Sequence, residues 1–242
     1  ILVLPKGTFR LTGTVRESGF GIANVTLTVI SGVGEGLTTV SGSGGLYVFY
    51  GVSGPVQIQS KKHGYLNGTQ RLDVTAHRTS DFDIAPERPR TDYRGTYTLT
   101  IAAPSCSSGK GTFPDAARRR VYTANVTQEG GRLTVRLSDA DFIVTNGRGN
   151  GFVGFVDTTE MIRFLISDVD SYYYNSDAFD IAERFSDTAL LVEGGVSARG
   201  TAALISGTLN GYILISRSAR PPFHPYSSSC YSRDHAFEMK RR

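Results

Sequence analysis

Side chains able to carry out acid–base or metal chemistry are few in this sequence. The four histidines are His63, His77, His224 and His235, and no two have the i, i+2 or i, i+4 spacing that brings two imidazoles to one metal ion. The sequence also lacks a Gly-x-Ser-x-Gly nucleophile elbow, so no serine can be matched to a base from local spacing. We therefore predict no catalytic residue, no cofactor and a protein that is not an enzyme.

The carboxylates offer two weaker candidates. Asp168 and Asp170 begin like an Asp-x-Asp calcium loop, but the glycine and closing glutamate of an EF-hand are missing, and a solvated acidic loop is the simpler interpretation. A glycosidase needs two carboxyl groups about 5 to 9 Å apart. Glu160, Asp168 and Glu183 are available, yet nothing in their spacing singles out a pair. A hydrolase with an unrecognised site therefore stays the third hypothesis.

The two cysteines, Cys106 and Cys230, both lie in serine-rich polar stretches where a buried free thiol is unexpected. We predict a disulfide between them, closing a loop of about 125 residues. Such a bond indicates an oxidising compartment, periplasmic or extracellular.

Aromatic residues in two loops predict a contact surface. Tyr172, Tyr173 and Tyr174 form one group, and Phe223 and Tyr226 belong to a second, proline-rich loop. Tyrosine is enriched at interfaces because it supplies a large contact area at low entropic cost. The alternative is that these rings pack on each other and cap one end of the fold.

The chain begins with the apolar residues Ile1, Leu2, Val3 and Leu4. We expect them either to add as a strand to a sheet edge, in this chain or in a neighbour, or to form a frayed tail. No charged segment precedes them and no apolar run reaches the ~20 residues that cross a bilayer. The expectation is an exported form whose signal segment is absent, without a membrane span.

Charge argues against nucleic acid as a partner. The net charge is +4, but residues 1–90 carry 9 basic and 6 acidic groups and the remainder carries 17 and 16. The excess lies in short runs such as Arg118–Arg120 and Lys240–Arg242 rather than in a basic stripe with stacking aromatics.

Residues 8–86 alternate apolar and polar residues in short runs separated by glycine or serine, which is typical of half-buried strands. The seven runs are Phe9–Val15, Val25–Val29, Leu37–Val40, Leu46–Phe49, Val56–Gln59, Arg71–Val74 and Asp81–Ile84. Seven strands in about 80 residues predict a Greek-key β-sandwich.

The stretches GTVRESGFGIANVTLTVISG, TTVSGSGGLYVFYGVSGPVQIQSKKHGY and DFDIAP resemble the carboxypeptidase regulatory-like domain, a small prealbumin-like sandwich. The resemblance covers residues 8–86, with Gly13, Gly19, Gly45 and the Gly64-Tyr65 pair at matching positions. The sequence departs from it at Ser41 and Ser43, where relatives often have Asp or Asn. The resemblance implies a domain without catalytic residues, assigned here to residues 1–88.

Residues 89–94 mix proline with charge and predict a linker. Beyond it, residues 95–242 contain eight or nine longer runs joined mainly by hairpin signals such as Asn210-Gly211, and the last run is His235–Lys240. This pattern predicts an antiparallel up-and-down barrel. The disulfide would then join the first and last strands, where such a barrel closes. This domain is only loosely similar to the calycin-type barrels, through strand number and order.

The favoured function is a non-enzymatic accessory or structural module that makes protein–protein contacts in an envelope or cell-surface assembly. The alternative is a calycin-like carrier of a small apolar or saccharide ligand, in the barrel or at its mouth. Phe152, Phe155, Phe164 and Leu165 are expected to point inward, which would fill the interior and disfavour the carrier.

Overall fold

The structure, a computed structural model, describes residues 4–145, 147–166, 180–220, 223 and 226–242. The chain divides into two compact units, residues 1–90 and 91–242, both built from β-strands. Short 3-10 turns occur at Ser43–Gly45 and Asp115–Ala117. The all-β class is therefore confirmed. Among the described residues, no helix has the length and apolar character needed to cross a membrane.

The first unit is a curled sheet of eight described strands. In chain order these are β1 (Phe9–Glu17), β2 (Phe20–Gly21), β3 (Thr26–Val33), β4 (Thr38–Val40), β5 (Leu46–Lys61), β6 (Gly68–Val74), β7 (Arg78–Thr79) and β8 (Phe82–Asp83). The main path is β2-β1-β5-β3-β4, with β6 on β5 and with β7 and β8 on β1.

Strand β5 corrects the sequence-based segmentation. Leu46–Phe49 and Val56–Gln59 were predicted as separate strands, but both belong to this one strand, which pairs first with β1 and then with β3. Gly51 and Gly54 lie between them with positive φ, so they bend the strand without ending it. Alternate residues then fill one core, including Leu11, Leu27 and Ile58.

The second unit contains ten described strands. They are β9 (Gly95–Ala102), β10 (Ser108–Lys110), β11 (Arg119–Glu129), β12 (Arg132–Ser138), β13 (Gly151–Val156), β14 (Ile162–Leu165), β15 (Ile181–Phe185), β16 (Thr188–Gly200), β17 (Leu204–Ser216) and β18 (Tyr226–Arg241).

Eight of these strands close into the predicted barrel. The order is β9-β11-β12-β13-β14-β16-β17-β18, and β18 pairs with β9 from Ala236 to Arg241 to complete the ring. Each strand therefore lies beside its neighbours in sequence, apart from the short strands β10 and β15, which pair with β18 and β16 outside this path. The up-and-down arrangement inferred from the hairpin signals is confirmed.

Two boundaries in the barrel differ from the prediction. Asn210-Gly211 was interpreted as a hairpin, but it lies inside the continuous strand β17, opposite Gly194 and Gly195 of β16. The last strand begins at Tyr226 rather than at His235, so it contains Cys230. An Asn-Gly pair inside a long strand has the same local sequence as a hairpin turn, which explains the first difference.

The segment predicted as a linker, residues 89–94, contains two buried side chains. The boundary between the units falls after Arg90, whose side chain packs into the first unit. Tyr93 is fully buried in the second unit, and its phenol donates a 3.1 Å hydrogen bond to Glu160. Burial, followed by this carboxylate, raises the pKa of Tyr93 to about 12. Arg90 and Tyr93 are therefore packed within the first and the second unit respectively.

Candidate functional site

The barrel interior is occupied by the protein's own side chains. Phe152, Phe164 and Phe237 point inward from three strands, with ring centroids 5.4 to 6.2 Å apart. Aliphatic residues of all eight strands surround them. Phe155 and Leu165 do not point inward as predicted, because they occupy the alternate, outward positions of β13 and β14 and are exposed.

One titratable group lies among these apolar side chains. His235 is fully buried on β18, next to a bulge where Arg233 and Asp234 face the single residue Asn210. Neither ring nitrogen has a well-formed hydrogen bond within the described residues. Burial lowers the pKa of His235, and nearby backbone groups of Cys230 and Gly211 offset this only in part. The imidazole is therefore held in its neutral form.

We expect the barrel to lose stability as the pH falls below about 6.5, the ordinary pKa of histidine. Below pH 6.5 the unfolded chain binds a proton on His235 that the folded chain excludes. The free energy of unfolding should therefore fall by at most about 1.4 kcal/mol per pH unit until the pH reaches the lowered pKa of His235. Urea unfolding between pH 7.5 and pH 5 measures this slope. His235→Leu should remove it and His63→Gln, an exposed histidine, should keep it; equal slopes in both variants would refute the assignment.

Cys106 and Cys230 form the predicted disulfide, with Cα atoms 5.0 Å apart. Cys230 lies within β18, opposite Ile213 of β17 on one side and Gly109 of β10 on the other. Cys106 lies in the connection between β9 and β10. The bond therefore fastens the segment after the first barrel strand to the last strand, beside the seam where β18 meets β9.

A buried ion pair accounts for one candidate carboxylate. Glu183 on β15 is almost fully buried and lies 2.5 Å from the Arg120 guanidinium, which also sits over the ring of Phe185. Tyr122 is buried beside them, and burial followed by the Glu183 charge raises the pKa of Tyr122.

Glu160 has different partners, because it accepts hydrogen bonds from the Tyr93 hydroxyl and from the backbone amide of Thr91. Each glutamate thus has its own structural partners.

The first unit holds its own buried polar cluster. Arg90 donates two hydrogen bonds to Glu17, from Nε at 2.9 Å and from Nη2 at 2.7 Å, and Tyr65 donates a third to the same carboxylate at 2.8 Å. Burial alone would raise the pKa of Glu17, but the hydrogen bonds from Arg90 and Tyr65 outweigh it and lower that pKa. The cluster links Glu17, the last residue of β1, to Arg90, the last residue of the first unit.

An open groove of about 510 Å³ crosses the first unit. Its rim is apolar, since Val40 is 57% exposed and Leu46 is 65% exposed. Its lining combines hydroxyl and apolar groups from β1, β4, β5 and β7, namely Thr12, Thr14, Thr39, Thr79, Tyr47 and Val48.

The phenol of Tyr47 donates a hydrogen bond to the Ser80 carbonyl oxygen at 2.6 Å. Burial, followed by the charge of Asp81, raises the pKa of Tyr47 to about 12. The groove offers apolar contact and neutral hydrogen bonds but no ionised acid–base group.

The predicted aromatic contact surface is only partly within the described residues. Tyr172, Tyr173 and Tyr174 lie outside them. Phe223 is 1% exposed and packs with Leu191 and Leu214, so its assignment to an exposed surface is wrong. Tyr226 is half-buried against the same cluster. These two rings cover an apolar part of the barrel, as in the alternative interpretation.

The remaining predicted site residues lie at or beyond the limits of the described chain. Ile1, Leu2 and Val3 are outside it, and Leu4 is half-buried but not part of a strand. Asp168 and Asp170 are also outside it. Within the described residues, no three His, Cys, Asp or Glu side chains are grouped as a metal ion would require.

Sequence inspection missed two surfaces. The groove depends on the proximity of β4 and β5, which the alternation of apolar and polar residues along a single strand does not reveal. The outward position of Phe155 depends on which face of β13 lines the barrel, and Gly154 was the available signal, because a glycine on the inward face leaves room for the large side chain of Phe164.

No protein-family model matches the sequence, and no curated protein matches it significantly.

Proposed function

We propose that this chain is a non-enzymatic, extracytoplasmic accessory or structural module that makes protein–protein contacts in an envelope or cell-surface assembly. The observation that carries the proposal is the groove of the first unit, where Val40 and Leu46 expose apolar side chains at an open, neutral surface. Exposed apolar groups around a concave surface mark interaction sites, because covering them removes apolar area from water.

The second unit supports a role without an internal ligand. Phe152, Phe164 and Phe237 fill the middle of the barrel, where a calycin-like carrier would hold its cargo. The disulfide supports export, because such bonds persist in oxidising compartments.

The resemblance to the carboxypeptidase regulatory-like domain is part of the same proposal. Two of the matching glycines have a physical requirement in this chain. A Cβ on Gly13 would lie 1.8 Å from the Ser80 carbonyl oxygen, and Gly45 combines a φ of +78° with a 2.3 Å approach to the Val15 carbonyl oxygen. A sandwich of that family implies a spacer or contact module without catalytic groups.

Site-specific photo-crosslinking in native envelopes tests the proposed contact. A photoreactive amino acid at position 40 or 46 should give an adduct of one defined mass, because these side chains are the ones that a partner would cover. Position 66 is the matched control, since Leu66 is 56% exposed in the same unit but does not line the groove.

Adducts at 40 and 46, absent at 66, support the proposal. The same adducts from all three positions would indicate non-specific contact, and a protein that runs as a free monomer without adducts would exclude an assembly role.

A further inference from the structure

The groove of the first unit runs along one side of β5 that no described strand covers. Over residues 46–52, β5 pairs with β1 on one side, and β3 joins its other side only from Ser53 onward. β4 lines the same groove but pairs with β3 alone. We call the uncovered side of residues 46–50 the open edge.

The hydrogen bonds of β1 determine which backbone groups the open edge presents. Thr12 is directly opposite Val48, and its carbonyl accepts a 2.8 Å hydrogen bond from the Ser80 amide, so the backbone of Thr12 faces away from β5. Directly opposite residues of an antiparallel pair either bond to each other or both face outward. The N–H and C=O groups of Val48 therefore face away from β1, as do those of Tyr50 two residues further on. Neither residue has a strand partner on that side within the described chain.

Strand β4 also has an unpaired side. The Leu37 carbonyl and the Ser41 amide both bond toward β3, each at 2.9 Å, so the odd-numbered residues of β4 face β3. The backbone groups of Thr38 and Val40 face the other way. Two strands that line the groove thus each have backbone donors and acceptors without a strand partner among the described residues.

The side chains around the open edge are uncharged. Residues 36–60 contain no Asp, Glu, Lys, Arg or His, and none of the residues that line the groove is charged. Leu46 and Tyr50 are exposed on the same face of β5 as Val48. The surface beside the unpaired backbone groups is therefore apolar or hydroxyl-bearing.

The other outer strands of this unit carry exposed charges. β6 pairs only with β5 and exposes Arg71 and Asp73, while β7 and β8 pair only with β1 and expose Arg78 and Asp83. Charges on an outer strand oppose the addition of another strand, because they would lose water when it binds. The open edge lacks this protection, which favours a bound strand at this place.

We propose that the open edge binds an extended, uncharged peptide segment of a partner protein as an added β-strand. The backbone of the segment bonds to Val48 and Tyr50, and its apolar or hydroxyl side chains contact Leu46, Val48 and the threonines of the groove. A second copy of this chain is a poorer occupant, because its own unpaired strands lie in the same groove rather than on a projecting segment. This inference rests on the proposed function, since it specifies how the groove makes its protein contact.

Amide hydrogen exchange followed by NMR tests the added strand in the full chain. The probe is a capped peptide of three Val-Thr repeats with a lysine at each end for solubility, used at about 1 mM. Exchange at Val48 and Tyr50 should slow about tenfold or more, because the peptide accepts hydrogen bonds from both amides. The amides of Tyr47 and Phe49 face β1 and should not change.

A second peptide separates backbone pairing from side-chain contact. It has the same sequence but is N-methylated throughout its Val-Thr repeats, so it keeps the side chains and loses the backbone donors. It should bind at least about tenfold more weakly.

Two variants at one position make the same comparison in the protein. Val48→Pro removes the outward amide without removing a bond to β1, and it should weaken binding of the probe about tenfold or more. Val48→Thr is the matched control, because it keeps the amide and the strand propensity, and it should weaken binding less than about threefold. Exchange at Tyr47 and Phe49 reports whether β5 is still paired with β1, and the N-methylated peptide makes the test on the unmodified chain.

Slower exchange at Val48 and Tyr50, together with weak binding of the N-methylated peptide, supports the proposal. No binding of the probe, equal binding of the two peptides, or unchanged exchange at both amides would each overturn it.

Photo-crosslinking at positions 40 and 46 separates this inference from the proposed function. Adducts in native envelopes that form equally well in Val48→Pro would keep the protein contact and overturn the added strand. Slower exchange with the probe but no adducts in envelopes would keep the added strand and exclude the assembly role. An adduct of twice the mass of this chain would identify a second copy as the occupant and overturn the peptide segment.

Discussion

Removing the disulfide should lower the free energy of unfolding of residues 91–242 by about 4–5 kcal/mol. The bond joins cysteines 124 residues apart, so without it the unfolded chain gains the entropy of a loop that spans most of the barrel. Cys106→Ser with Cys230→Ala is the appropriate variant, because Cys230 is fully buried and a hydroxyl there would add an unrelated cost.

Hydrogen exchange measured by mass spectrometry can follow each unit separately. Amides of β9 to β18 should lose protection in the variant or in reductant, whereas amides of β1 to β8 should not change, because the first unit contains no cysteine. Unchanged protection in β17 and β18 would contradict the role assigned to the bond. An equal loss in both units would indicate a general effect of the reductant.

Arg90→Met should destabilise the first unit by about 3–5 kcal/mol, because it leaves the Glu17 carboxylate buried without its cation. The side chains of Arg90 and Glu17 are 7% and 6% exposed, and two hydrogen bonds join them. Chemical denaturation at pH 7 measures the change. The double variant Arg90→Met with Glu17→Leu should cost less than Arg90→Met alone, since no charge is then left unpaired.

Arg16→Met is the matched control in the same unit. The Arg16–Asp81 pair is 2.9 Å long, but its side chains are 41% and 36% exposed, so its loss should cost less than about 1 kcal/mol. The lowered pKa of Glu17 adds a second readout. In the native chain this carboxylate contributes stability above its ordinary pKa near 4.5, and the contribution is lost as the pH falls through the lowered value. Equal costs for Arg16→Met and Arg90→Met would contradict the importance of burial.

Local sequence patterns were sufficient for the class, the strand order of the barrel and the cysteine pairing. Alternation identifies strands, and hairpin signals identify neighbours, so an up-and-down sheet with one disulfide follows from short segments. The same patterns misplaced strand boundaries at glycines, because a glycine can lie in a turn or inside a strand. Gly51 and Gly54 bend β5 and Asn210-Gly211 lies within β17, although each segment has the composition of a turn.

The surfaces could not be predicted, because they depend on contacts that are distant in sequence. Glu17 and Arg90 are 73 residues apart, and nothing near either residue indicates the other. Phe155 and Phe164 look alike in sequence, yet the barrel wall separates them, one exposed and one in the core. Alternation with period two shows that two faces exist but does not identify the one that lines the interior.

Closure of the barrel has a consequence for solubility. Each of its eight strands pairs with a strand of the ring on both sides, so none of the eight is an edge strand, while the short strands β10 and β15 pair with β18 and β16 outside the ring. In the first unit, β4 pairs on one side only, with β3, and the exposed Val40 lies on it. Fibrillar or amorphous aggregation of native protein at high concentration should therefore start at β4, and a lysine at position 40 is the substitution that should suppress it.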